Sequence, residues 1–463
     1  MLEVMTEQLD IIENLLWTYL GVPLVMGVGL YLTLKSNFFQ IRHLPTVFKT
    51  FLGFLRVKHD HNERGVHPLK VFFAAVGGCV GIGNIVGICT AVQFGGPGAL
   101  LWVWITALAG MILKYSEVFL GLRYREPNGK GGYNGGPMYF LQRAFKQKWI
   151  PSLVCILLCI YGVEVYQFSV ISTSITTNLG VNSYLVIGIL LLLVIFAGSG
   201  GVKRVGAISS TSLPIFVCVY VGMGMWVLLN NLTVLPDVFQ TIFASAFTGH
   251  AAVGGFLGAG LMAAMSHGIR RGCYTGDLGV GYASVIHSES SAQVPERQAC
   301  LAIFDIFLDT FIVCTTSLFL ILTTGVWQEP MEAGMMVQMS LHQYFPFMQY
   351  FMPLFLFMLG YNTINAYFCV GLKCADYLSP RWGRPLYYVY AVVALLLFSF
   401  MGTSQAQSVM AIAGVSLLII NGIGIFLLRH EISFNLQAEP VPQAIVVEEA
   451  PLEQADHILK TPS

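Results

Sequence analysis

The sequence predicts an all-α polytopic membrane protein with eleven spans, and three observations carry that expectation. Of 463 residues, 56% are hydrophobic and only 10% charged, against about 25% charged in soluble domains. A bilayer core about 30 Å thick takes about 20 apolar residues per helix, and the chain offers run after run of that length. Lys and Arg crowd into every second connection between those runs and are absent from the others.

Hydropathy places the spans near 11–34, 69–93, 97–122, 151–179, 183–201, 205–230, 241–268, 299–326, 347–372, 386–402 and 407–428. The first follows Glu3, Glu7, Asp10 and Glu13 with no basic residue, so it reads as a retained span and not as a signal peptide. All 24 Lys and Arg lie in or beside 35–70, 114–150, 203–204, 270–297, 373–384 and the tail after 428. The positive-inside rule then sets the N-terminus outside and the C-terminus in the cytoplasm of a cell (inner) membrane. Arg270 and Arg271 read as cytoplasmic anchors. The stretch "FKTFLGFL" (48–55), flanked by Arg42 and Arg56, reads as an amphipathic helix on the membrane surface.

The chain thus divides into an N-terminal span (1–34), a cytoplasmic amphipathic segment (35–68), two five-helix groups (69–230 and 241–428) and a polar cytoplasmic tail (429–463). Five helices per group make the groups enter the membrane from opposite sides. That permits an inverted repeat with a binding site at the repeat interface. Its pointer is a pair of Gly-interrupted spans at equivalent positions, here "GGCVGIGNIVGICTA" (77–91) and "GHAAVGGFLGAG" (249–260). Opened backbone there supplies free N–H and C=O groups, which lipid tolerates only around a protein-lined cavity. Close helix packing over small residues is the competing reading for a single cluster; two clusters, one holding Asn84, favour broken helices.

Other classes lack support. Net charge is zero, which gives no argument for nucleic acid. The ten cysteines sit almost wholly in apolar spans without a C-x-x-C, so neither a disulfide framework nor a metal site is suggested. No nucleophile–base constellation marks an enzyme, and no repeated filter-like loop marks a channel. A carrier remains, with the lipid bilayer as its surroundings and no bound cofactor.

Long motifs then resemble a known family. The run from Gly81 to Arg125 beginning "GIGNIVGICTAVQFGGPGALLWVW", then "GGPMYFL" (135–141), "AAVGGFLGAG" (251–260), "GIRRG" (268–272), "LDTFIVCT" (308–315) and "FFQIRHLP" (38–45) are similar to the alanine/glycine:cation symporters. The resemblance spans about 15–430. It implies a LeuT-type fold of ten core helices in a 5+5 inverted repeat, plus one N-terminal helix. It further implies sodium-driven symport of a small neutral amino acid by alternating access. Carried over by position, backbone at Gly81 and Gly83 and the amide of Asn84 would line the substrate. Gln167 would face it, Phe256 would cover its side chain, and Tyr367 stands where the family often has Trp. The implied sodium site comprises the carbonyls of Gly77 and Val80 with Asn362 and Thr363 of "YNTIN" (361–365). This chain departs from the family at Ile82, at Asn362 and in "YTGDLGVG" (274–281), with Asp277 in the acidic place.

Glu164 is a further departure. A charge at the bilayer centre costs roughly 2.5–3.5 kcal/mol on insertion scales, which makes it a functional candidate by default. Read as helical, Glu164 and Gln167 are i and i+3 and share a face. Glu164 would hold a substrate ammonium or a cation, or carry a proton. A proton-coupled amino-acid permease is therefore the alternative to sodium coupling. Asp309 in "LDT" reads as a hydrogen-bonding or gating residue.

Overall fold

Apolar composition becomes helix here because lipid offers no partner for backbone N–H and C=O groups. The computed structural model describes residues 2–56, 64–129, 131–198, 200–248, 260–400 and 403–436. Among the described residues, seven helices are long and apolar enough to cross a membrane: α1 (Gln8–Lys35), α5 (Ala99–Arg123), the α6–α7 pair (Trp149–Leu179), α9 (Gly201–Asn230), α13 (Pro295–Thr323), α15 (Met348–Leu378) and α17 (Gln405–Leu427). An eighth is a pair bent by 44°, α3 (Pro68–Cys79) and α4 (Gly83–Gly95). Shorter helices are α2 (Leu44–Arg56), α8 (Ser183–Gly198), α10 (Leu235–Thr248), α11 (Leu261–Thr275), α12 (Tyr282–His287), α14 (Ala333–His342) and α16 (Gly383–Ser399). The β-structure among the described residues is confined to the hairpin Glu126–Pro127 with Tyr133–Asn134, and an isolated bridge Val66–Ser290.

The amphipathic α2 lies against the bundle through Phe48 and Phe51, whose rings pack on Phe304, Phe307 and Phe72. α5 is buried along most of its length. Lys114, which the sequence groups with the basic connection 114–150, is part of this helix and completely buried.

In the second half the described residues form α10, described as far as Thr248, and α11, which begins at Leu261 after an extended Gly260 and continues past the expected end of the span at 268 to Thr275. α10 exposes Phe239, Phe243 and Phe247, and the Trp102 indole donates to the Ala246 carbonyl at 3.3 Å. The glycine cluster 249–259, with Phe256, lies outside the described residues. The break among the described residues of this half comes later, at Gly276–Gly281, between α11 and α12. There Asp277, Gly279 and Gly281 all have positive φ (+50°, +69° and +96°), a conformation glycine adopts without steric cost.

This layout relocates two arginines. Arg270 Nη2 lies 2.5 Å from Glu13 and its Nη1 2.6 Å from Asn14 of α1. The other end of α1, Lys35, donates to the Arg429 carbonyl. Residues 13 and 35 are separated by about 33 Å of helix at 1.5 Å per residue. Arg270 and Arg271 therefore sit toward the end of the bundle opposite Lys35 and are not anchors on the basic face. Ion pairing with Glu13 offsets the cost of a half-buried Arg270 there. At the basic face Arg125 donates to the carbonyls of Ser288, Ser290 and Ala292. Burial pulls its pKa down to about 10, which leaves it charged at neutral pH.

Candidate functional site

Three helix breaks converge on one cavity. It is lined by Gly78, Cys79 and Gly83 at the first break, by Tyr161, Glu164 and Gln167 at a second, and by Tyr274, Thr275 and Asp277 at a third; Thr363 and Tyr367 of α15 complete it. The space left between these side chains is about 10 Å³, on the order of one water molecule, so the three breaks close tightly on one another.

The first break, at 80–82, is made by side chains competing for backbone donors. Gly81 N–H donates to Asn84 Oδ1 at 2.9 Å, and Ile82 N–H to Gln167 Oε1 at 3.0 Å. Gly81 N–H is the donor a continuous helix would give to the Gly77 carbonyl. That carbonyl instead accepts from the Thr363 hydroxyl at 3.3 Å. The approach needs glycine, because a Cβ at Gly81 would collide with Thr363 Oγ1. Val80 leaves the helix with ψ 88°. Asn362, grouped with Thr363 in the cation set, stands with Ser209 beside Gly77: its Oδ1 accepts from Ser209 at 3.3 Å and its Nδ2 donates to Ser212 at 3.0 Å. Ser209, unnoticed in the sequence, also stands against Gly77.

Asn84 lies at a junction of two π-helical stretches, Gly83–Gly87 and Phe307–Cys314, a wide helical form found often at functional sites. Its Nδ2 donates to Asp309 Oδ1 and to Cys314 Sγ, and its carbonyl accepts from Ser317 at 2.7 Å. Asn84 is completely buried.

The second break corrects the picture of Glu164 within a continuous helix. α6 (Trp149–Tyr161) ends before Gly162, Glu164 takes a left-handed conformation (φ 52°, ψ 47°), and α7 (Val165–Leu179) starts after it. Left-handed backbone costs a non-glycine residue roughly 1–2 kcal/mol, a strain typical of functional sites. Glu164 and Gln167 reach one cavity because the helix is interrupted there. Glu164 is 2% exposed, and its Oε2 has no hydrogen-bond partner among the described residues.

Asp277, seen in the sequence only as a departure, lies at the third break with Tyr161 Oη 3.4 Å from its Oδ1. Tyr367 stacks on Tyr282 (centroids 4.0 Å) and meets Tyr161 edge-on at 5.3 Å. Around the breaks the carboxyl groups of Glu117, Glu164, Asp277, Asp305 and Asp309 are buried with one ammonium among the described residues, Lys114. In a linear reading Lys114 of "LKYSE" (113–117) opens a basic connection, which hides Lys114 and Glu117 as buried residues. Charge inside an otherwise apolar run was the available signal.

Among known proteins, the chain is 33% identical over 434 residues to the uncharacterized transporter YflA of Bacillus subtilis, covering 91% of this chain and 90% of that protein. It is 28% identical over 406 residues to the sodium/alanine symporter AgcS of Methanococcus maripaludis, covering 85% and 87%. The crystal structure of MhsT in complex with L-phenylalanine shares the fold, with TM-score 0.57 at 16% identity over 80% of this chain and 90% of that one. The architecture is thus the LeuT-type transporter fold, and its function is transport, not enzyme catalysis. Residues 2–438 match the sodium:alanine symporter family, so a cavity built from broken helices, the transporter fold and the matched length together place this chain in that family of amino-acid:cation symporters.

Proposed function

We propose that this protein carries a small neutral amino acid, alanine or glycine, into the cell together with sodium, by alternating access. The observation that carries the reading is the break at 80–82. It directs the Gly81 and Ile82 N–H groups to side-chain amide oxygens and leaves the Gly77 carbonyl facing a hydroxyl. An amino-acid carboxylate can replace Asn84 Oδ1 and Gln167 Oε1 on those N–H groups. A sodium ion can take the Gly77 and Val80 carbonyls with Thr363 Oγ1, the oxygen set of sodium sites at unwound helices. The name of the relative AgcS, a sodium/alanine symporter, supports this substrate class.

One sodium ion is energetically sufficient. About 2.3 kcal/mol per charge at 100 mV and about 1.4 kcal/mol for a tenfold gradient make ~3.7 kcal/mol, which supports roughly 500-fold accumulation. In the same reading, α11 and α12 form one broken crossing at 261–287, bringing the spans to eleven, with Arg125 and Lys373 on the cytoplasmic side and the N-terminus outside. Proton coupling is the second reading, favoured by the bare, buried Glu164 Oε2. The deciding experiment is uptake of labelled alanine and glycine into proteoliposomes with sodium and proton gradients imposed separately. Concentrative uptake on a sodium gradient alone is expected; uptake on a proton gradient alone would overturn sodium coupling.

Thr363→Ala tests the cation set directly. It removes the hydroxyl on the Gly77 carbonyl, and we expect the sodium concentration for half-maximal uptake to rise about tenfold, the effect of about 1.4 kcal/mol. A sodium dependence identical to the parent's would remove Thr363 from the site.

A further inference from the structure

α5 carries Lys114 and Glu117 three residues apart, on one helix face, and both are completely buried. They meet opposite ends of the same break. Lys114 Nζ donates to the Gly276 carbonyl at 3.0 Å, where α11 ends, to Asp305 Oδ2 at 2.7 Å and to Cys79 Sγ at 2.9 Å, where α3 ends. Glu117 accepts from Gly281 N–H at 3.2 Å and from Ser284 N–H at 3.1 Å, where α12 begins.

Interrupting a helix strands carbonyls on one side and N–H groups on the other. In a core without water each stranded group costs free energy unless the protein meets it. An ammonium has only donors and a carboxylate only acceptors, and the two stand at the ends that need them. The three N–H bonds of Lys114 go to a carbonyl, a carboxylate and a sulfur. Small residues let α5 lie close along the whole break: a Cβ at Gly110 would collide with Leu278, and one at Gly121 would come within 2.7 Å of Ser284 Cβ.

We propose that Lys114 and Glu117 are a two-point clamp that sets the width of the 276–281 break and so positions Thr275 and Asp277 in the cavity. Through Cys79, Lys114 also keys this break to the one at 80–82. Neither side chain lines the cavity, so both are positioning residues. The role holds whichever solute is carried.

The test combines hydrogen exchange and uptake on the full-length protein in proteoliposomes. The variants are Glu117→Ala, Glu117→Gln, and the double variant Lys114→Met/Asp305→Asn, which removes the ion pair as a unit and does not leave Asp305 as an unpaired charge. We expect amides at 276–286 to exchange at least tenfold faster in Glu117→Ala and in the double variant. Glu117→Gln, which keeps one acceptor oxygen, should fall between. Peptides from α9 should exchange as in the parent. For alanine uptake, the half-saturating concentration should rise at least fivefold, by a larger factor than the maximal rate falls. Unchanged exchange at 276–286 would overturn the clamp, and so would equal acceleration in α9, the mark of general destabilisation. Faster local exchange with an unchanged half-saturating concentration would overturn its positioning role. The exchange measurement involves no solute, so a parent that fails to carry alanine would defeat the proposed substrate and leave the clamp to be judged on exchange alone.

Discussion

Asn84→Ala is expected to weaken alanine binding at least tenfold and up to about a hundredfold while the protein inserts normally. The side chain carries two loads at once. Its Oδ1 holds the Gly81 N–H in the opened conformation, and its Nδ2 donates to the Asp309 carboxylate. Alanine leaves both partners buried without Asn84, and each unmet polar group costs about 1–3 kcal/mol. Part of that cost is relieved if Gly81 N–H returns to the Gly77 carbonyl and closes the helix. Closure would withdraw both the anion-binding N–H and the cation-binding carbonyl, so substrate and sodium affinity should fall together. Equilibrium binding of labelled alanine to purified protein, with and without sodium, measures this. Parental affinity in a folded Asn84→Ala variant would exclude Asn84 from the site.

Glu164→Gln should abolish most concentrative uptake. The substitution keeps shape and one acceptor oxygen but removes the charge and the titratable proton from a residue buried in strained backbone. If the carboxyl stands as a fixed anion toward an ammonium or a cation, uptake falls equally at every pH. If it carries a proton through the cycle, parental uptake varies from about pH 5.5 to about pH 8 and the variant's residual uptake does not, since an amide does not titrate in that range. The pH profile of initial uptake rates for parent and variant separates the two roles. A fully active variant with a parental profile would reduce Glu164 to a structural residue. Glu164→Ala with rescue by Glu164→Asp provides the control for packing.

The sequence by itself determined the class of protein, because hydropathy is a sum over local residues and the bilayer acts on each helix separately. It also marked the helix opening around Gly81 to Asn84, since glycines beside a buried amide in an apolar run weaken a helix wherever it ends up. Glu164 was legible as a charge out of place. What only the tertiary structure decided were the features that depend on neighbours distant in the chain. The glycines at 249–260 that the sequence marks for a break lie almost wholly outside the described residues, and the break at 276–281 is one that hydropathy places in a connection. Asp277 stands in a stretch that hydropathy assigns to a connection, and its burial follows only once α5 supplies Lys114 and Glu117 to meet the opened ends. Arg270 read as a cytoplasmic anchor until Glu13, 257 residues away in the chain, was found beside it. Asn362 and Thr363 are adjacent in sequence, but a helix turns consecutive residues about 100° apart; Thr363 meets Gly77 and Asn362 meets Ser209 and Ser212. Periodicity and composition are one-dimensional and survive any fold. The partner that satisfies a buried charge or an opened carbonyl is chosen by packing, and no local pattern encodes it.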